Sequence, residues 1–204
     1  ALESFHCLGT MVARKIVSFL KPTFKVIVVD CDDTLWDGVV GEIGAENVRV
    51  DKPYLQFQQF LLSKYESGFL LAMCSKNNEA DVFEVFKKNK GMLLKLEHFS
   101  AWRINWNAKS SNIKSMASEL NLGLNSFIYW DDSAMECAEV MENCAEVFTI
   151  RFPKYGKDIK QYIYHNWVFD QFRITDEDRN RNEMVKQENQ RSQVMASIGT
   201  MESF

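Results

Sequence analysis

The sequence predicts an α/β fold: a Rossmann-like parallel sheet with helices on both faces, without a cap domain or with only a small flap. Three observations lead there. Short, nearly continuous apolar runs recur, and the first of them is largely β-branched, the mark of a strand buried on both faces. Segments of helical period separate them, so strand and helix alternate. Polar residues gather where three of the strands end, which is where open parallel sheets bind ligands.

Residues 25–30, KVIVVD, read as the first strand. Residues 54–67 carry apolar groups at Leu55, Phe57, Phe60, Leu61 and Leu62 in rough helical period, and Gly68 reads as the C-terminal cap. Residues 69–74, FLLAMC, are the second strand, and 79–89 a helix with Val82, Phe83, Val85 and Phe86 inward. A helix over 109–121, a third strand over 126–130, a helix over 134–143 and a fourth strand over 146–150 follow. Residues 156–166 read as a helix closing the sheet. From Thr175 the chain is so polar that it reads as a surface helix fraying into a linker. The division expected is a lead-in over 1–24, a catalytic domain over 25–175 and a polar tail over 176–204. Residues 36–53, WDGVVGEIGAENVRVDKP, form an insertion too short for a folded cap, read as a flap of hairpin type.

Bulk properties narrow the function. The 204 residues are 46% hydrophobic, 25% charged and 13% aromatic, as in a globular domain. A net charge of -4 argues against a nucleic-acid binder. The five cysteines include no CxxC pair, and with three scattered histidines they fit neither a disulfide framework nor a zinc site; a reducing cytoplasm is expected. No apolar run approaches the roughly 20 residues of a membrane span. The opening ALESFHCLGTMVARKIVSFL has its charge inside the apolar stretch, so it reads as an amphipathic lead-in and not a signal peptide. Its first residue, Ala1, suggests a piece of something longer.

Chemistry concentrates at the strand ends. Asp30-Cys31-Asp32-Asp33-Thr34 follows the first strand, and alternation would put Asp30, Asp32 and Thr34 on one side. Carboxylates so close need a cation between them, and Mg2+, which takes oxygen ligands and a phosphate, is the natural one; the plainer alternative is a turn. Cys74-Ser75-Lys76-Asn77 ends the second strand, with Ser75 offering a hydroxyl to a phosphate. Lys109 opens a helix, where its ammonium can neutralise a phosphate and an attacking aspartate. Asp131 and Asp132 end the third strand and complete a metal set of Asp30, Asp32, Asp131 and Asp132.

DxDxT, a strand ending in Ser, a Lys and a DD pair, in this order, resemble the four motifs of the haloacid dehalogenase superfamily. The resemblance implies that Asp30 is the nucleophile that becomes an aspartyl-phosphate and Asp32 the general acid/base. Thr34, Ser75 and Lys109 would bind phosphate, and the acidic set would hold Mg2+. Longer strings over residues 25–185 are similar to the FkbH-like family: TLWDGVVGE, LLAMCSKN, RINWNAKSSN, ELNLGLNSF, and Glu136 after the DD pair. That family dephosphorylates a three-carbon acyl phosphate and loads the glyceryl or D-lactyl unit onto the phosphopantetheine thiol of an acyl carrier protein in polyketide assembly. Three positions depart from its pattern: Cys31 replaces Leu, Asp37-Gly38 replaces Gly-Gly, and Ser133-Ala134 replaces Asn-Pro.

Two residues have competing readings. Cys74 is either a thioester carrier activated beside Lys76 or a small buried hydrophobe. Arg103, between Trp102 and Trp106, binds either a second phosphate or carboxylate of the substrate or a structural acid. Asn77 is expected at the substrate. The leading function is acyl loading with a carrier protein. The alternatives are a capless phosphatase acting on phosphate monoesters or phosphoproteins, and an inactive docking scaffold.

Overall fold

The computed structural model describes residues 2–21, 24–153 and 159–201. In chain order the elements are α1 (Leu2–Leu20), β1 (Val26–Val29), α2 (Val40–Ile43), α3 (Lys52–Glu66), β2 (Leu70–Ser75), α4 (Glu79–Lys88) and β3 (Phe99–Ile104). Then come α5 (Lys109–Glu119), β4 (Phe127–Asp131), α6 (Ala134–Asn143), β5 (Phe148–Arg151), α7 (Ile159–His165) and α8 (Asp176–Met201). The strands form one five-stranded sheet in the order β3-β2-β1-β4-β5, every pairing parallel.

Alternation along the buried strands feeds two cores. Ile27, Val29, Leu71, Met73, Ile128 and Trp130 face a layer made of α3, α4, α7 and Trp36. Val26, Val28, Leu70, Ala72, Cys74 and Tyr129 face α5 and α6. The chain leaves β1 toward β2 and β3, then crosses back to β4 on β1's other side, so the order reverses between β1 and β4. The crevice of a doubly wound sheet opens at such a reversal, and here it lies between Asp30 and Asp131.

Two expectations change. A fifth strand, β3, lies at the edge of the sheet over residues 99–104, where none was expected. It is exposed at Trp102 on one face and half-buried at Arg103 on the other, so FSAWRI lacks the unbroken apolar run that marks the other strands. The flap is not a β-hairpin. Its ends meet through one antiparallel bridge, Asp37 with Arg49, and the turn between is helical (α2). The start of the helix expected over 156–166 lies outside the described residues; α7 accounts for 159–165.

The polar tail is anchored at its start. Thr175 and Asp178 form a reciprocal cap at the start of α8, with Thr175 N donating to Asp178 Oδ2 at 2.8 Å and Asp178 N to Thr175 Oγ1 at 3.1 Å. Asn182 is buried and donates to the main-chain oxygens of Tyr65 and Phe69. Arg181 donates to that of Gly68. Gly68 has φ +93°, and a Cβ there would lie 1.9 Å from the Asp178 oxygen. The residue thus serves both the turn after α3 and the close passage of α8.

Candidate active site

β1 is fully buried and β-branched throughout, which makes it the rigid centre of the sheet. Asp30 continues its ladder, N–H donating to Trp130 O at 2.9 Å. The chain then turns: Leu35 N reaches back to Cys31 O at 2.8 Å, and Asp33 takes φ 51°. The turn, not strand alternation, therefore decides where the next side chains go.

Asp30, Asp131 and Asp132 come together, each offering a carboxylate oxygen, with those oxygens within 4.8 Å of one another. Asp30 and Asp131 are buried and Asp132 partly so. Lys109, 2% exposed, stands against two of them. Its Nζ donates to Asp30 Oδ1 at 2.5 Å and to the main-chain oxygen of Cys74 at 2.5 Å, and lies 3.2 Å from Asp131 Oδ2. Burial pushes the Asp30 carboxyl up, Lys109 pulls it down and Asp131 pushes it up again, leaving it at about 6. Burial works against the Lys109 ammonium, but the charges of Asp30 and Asp131 outweigh it and raise its pKa. An ammonium held so firmly stays charged and can neutralise an incoming phosphoryl group.

The other motif residues divide. Ser75 is buried beside Asn77, whose Nδ2 donates to Ser75 Oγ at 3.2 Å and to Asp32 Oδ2 at 2.9 Å. Asp32 Oδ1 accepts from Trp36 Nε1 at 2.9 Å and from Val40 N at 3.1 Å. The Asp32 carboxylate is thus tied to the flap and to Asn77, and the structure does not bring it into the group formed by Asp30, Asp131 and Asp132, with which the sequence had placed it. Thr34 is fully buried and its hydroxyl has no hydrogen-bond partner among the described residues.

Two expected residues turn away. Arg103 leans on α5, donating to Glu119 Oε2 at 2.6 Å, to Ser115 Oγ and to Trp102 O. The structural acid satisfies it, so it does not reach the cleft. Cys74 follows Leu70 and Ala72 onto the α5 face and is 0% exposed. Burial, only partly offset by Lys109, raises its thiol to about 12. It sits as a small hydrophobe and not as an available thiolate.

Several supporting residues carry little sequence signal. Glu139 of α6 accepts from Ser110 N at 3.0 Å and Ser110 Oγ at 2.5 Å, capping the first turn of α5 next to Lys109. Tyr129 donates its hydroxyl to Asp131 Oδ2; being two residues earlier on the same strand, it could have been found by alternation. Lys76 Nζ donates to Glu136 Oε1 at 2.8 Å. A separate cavity of about 470 Å³ opens among α1, α3 and α7, and none of the strand-end residues lines it.

Comparison with solved structures fixes the family of folds. Structures of a haloacid dehalogenase family enzyme from Bacteroides thetaiotaomicron, one of them a magnesium complex, superpose with TM-scores of 0.51 and 0.50. They are 14% and 15% identical and are matched over their whole length by 71% of this chain. The chain has the haloacid dehalogenase fold. A stronger likeness is to the N-terminal part of a Bacteroides fragilis protein containing a phosphatase domain, crystallised with Mg: TM-score 0.76 and 29% identity over 85% of this chain. The chain spans about half, 48%, of that structure. No protein-family model matches the sequence, and no curated protein matches it. Between β1 and β2 the chain carries the flap with α2 and then α3, and between β2 and β3 it carries α4. Among the described residues no helix is long and apolar enough to cross a membrane.

Proposed function

We propose that the chain is a Mg2+-dependent phosphohydrolase in which Asp30 takes the phosphoryl group. One observation carries this: a buried carboxylate at the end of the central strand, in contact with a buried lysine and grouped with two further carboxylates. Three oxygen donors without His or Cys suit a hard divalent cation. Asp30, Asp131 and Asp132 would hold it, and it would supply charge neutralisation for the phosphoryl oxygens.

Asp30 attacks phosphorus, the bond from phosphorus to the leaving oxygen breaks, and Asp32 supplies the proton to that oxygen. Lys109 neutralises the phosphoryl oxygens as they approach Asp30, with Ser75 donating its hydroxyl. Asp32 then takes a proton from water as that water attacks the aspartyl-phosphate. Phosphate leaves and Asp30 is restored. Because Asp32 also accepts from Trp36 and Val40, its position is tied to that of the flap.

A finer reading is loading of a three-carbon acyl unit onto an acyl carrier protein. It is supported by the FkbH-like strings and by the cleft, which no cap among the described residues covers and beside which Trp106, between β3 and α5, and Met135, in the first turn of α6, are 74% and 79% accessible. Acyl transfer needs different bond cleavage. Attack of Asp30 on phosphorus of an acyl phosphate releases a plain carboxylate. A thioester forms only if a thiol attacks the carbonyl carbon and phosphate departs with the bridging oxygen. With Cys74 buried, the carrier's own thiol is the better nucleophile.

Hydrolysis in 18O-water with an acyl phosphate and a carrier protein separates the two. Label in the phosphate supports the Asp30 route. Unlabelled phosphate with an acylated carrier supports loading. No phosphate release with Mg2+ present would refute both.

A further inference from the structure

We propose that Lys76 receives a second anionic group of the substrate, a carboxylate or further phosphate a few bonds from the transferred phosphoryl group, and that Glu136 holds its ammonium ready until that anion displaces it. The inference rests on the phosphoryl reading of the site and names the substrate class within it: small phosphorylated acids, not neutral-tailed monoesters.

Geometry comes first. Val29 pairs with Met73, so Asp30 and Cys74 stand level and Lys76 lies just beyond. Its neighbour Asn77 touches both Asp32 and Ser75. Glu136 is in the first turn of α6, which Ser133 caps by accepting from Glu136 N at 3.3 Å, while Ser133 N binds Asp131 Oδ1 at 2.8 Å. β1 lies between β2 and β4. With strands about 4.8 Å apart, the Lys76–Glu136 pair therefore bridges roughly 10 Å across the end of β1, where Asp30 stands.

Charge comes second. The flap side of the mouth is acidic: burial and then Asp37, Asp33, Asp51 and Asp132 push the Tyr54 phenol up. A doubly anionic substrate needs a cation to offset that field. Lys109 is committed to Asp30 and Asp131. Arg49 is held by Asp37, and Arg151 Nε by the main-chain oxygen of Asp132. Arg103 is turned onto Glu119. Among the described residues Lys76 is the cation placed over the cleft, and its side chain is 36% exposed against 20% for Glu136. Only Glu136 Oε1 takes the ammonium, while Oε2 has no hydrogen-bond partner among the described residues, so Glu136 holds Lys76 through a single oxygen that an incoming substrate anion can displace.

The test compares phosphate release from ethyl phosphate, phosphoglycolate and ethylene glycol bisphosphate with Mg2+, read as the ratio of kcat/KM for each anionic-tailed substrate to that for ethyl phosphate. In Lys76→Ala the ratio for at least one anionic tail should fall about 10- to 100-fold, the value of a charge-assisted hydrogen bond. Lys76→Arg should keep it within about threefold, since charge and reach survive. Glu136→Gln should raise it, because the competing carboxylate is gone. The phosphoglycolate and bisphosphate arms show which anion Lys76 takes. An unchanged ratio in Lys76→Ala would overturn the inference, as would a Glu136→Gln ratio that falls like Lys76→Ala, which marks the pair as a strut. Wild-type protein inert toward all three would instead remove the phosphoryl reading beneath it.

Discussion

Replacing Lys109 with Met tests whether the three-carboxylate cluster is built for a cation. The ammonium is 2% exposed and contacts Asp30 at 2.5 Å and Asp131 at 3.2 Å. Methionine fills a similar volume and keeps α5 packed, but leaves two buried carboxylates facing each other. Removing one partner of a buried ionic group costs about 3–5 kcal/mol. For a domain of this size that corresponds to a fall in melting temperature of roughly 6–20 °C in EDTA. Mg2+ should then restore more stability to the variant than to the wild type, because no ammonium competes for Asp30 and Asp131. At 100 times its dissociation constant an ion returns about 2.7 kcal/mol. Calorimetric melts with EDTA and across a Mg2+ series read this directly. Equal melting temperatures in EDTA, or a Mg2+ response no larger than that of the wild type, would refute a cation-centred site. Phosphate release should still fall by orders of magnitude with Mg2+ present, since the charge that meets the phosphoryl group is gone.

Asp30→Asn should abolish phosphate release and weaken Mg2+ binding, both measurable on one sample; retained turnover would move the nucleophile elsewhere. Asp30 titrates near 6, above the ordinary carboxylate range, so the metal-free fold binds that proton more tightly than the unfolded chain does. Its contribution to stability is therefore full at low pH and lost as pH rises toward 6. Mg2+ affinity should climb about tenfold per pH unit up to about 6 and then level, by titration calorimetry; a flat profile from pH 4.5 to 7 would contradict it. Gly68→Ala combines a left-handed backbone with a Cβ 1.9 Å from the Asp178 oxygen. Urea unfolding should show a loss of about 2–4 kcal/mol, and a loss under 0.5 kcal/mol would mean that α8 is not seated there.

How far the sequence carried depends on whether a feature is local. β1, β2 and β4 were legible because strands buried on both faces must be apolar throughout. β3 was not, because an edge strand that wets Trp102 and Arg103 has the composition of a loop. Asp30, Lys109 and Asp131 were legible as strand-end and helix-start residues, and the fold brings them into contact. Asp32 was assigned to the metal by assuming strand geometry past residue 30; the turn marked by Asp33 at φ 51° sends its carboxylate to Trp36, Val40 and Asn77 instead.

Cys74 is the more instructive case, because the rule that settles it was present in the sequence. Neighbours on a strand face opposite ways, so Cys74 and Ser75 could not both serve one site. Ser75 lies beside Asn77 and Asp32, leaving Cys74 with Leu70 and Ala72 under α5. The thiol that a carrier mechanism wants is thereby buried, and its pKa of about 12 leaves almost no thiolate at neutral pH. Any acyl chemistry here would use a nucleophile brought from outside. Cys74→Ser should then leave acylation of a carrier protein within about threefold of wild type, read by intact mass, whereas loss of loading with the fold intact would return the cysteine to the mechanism.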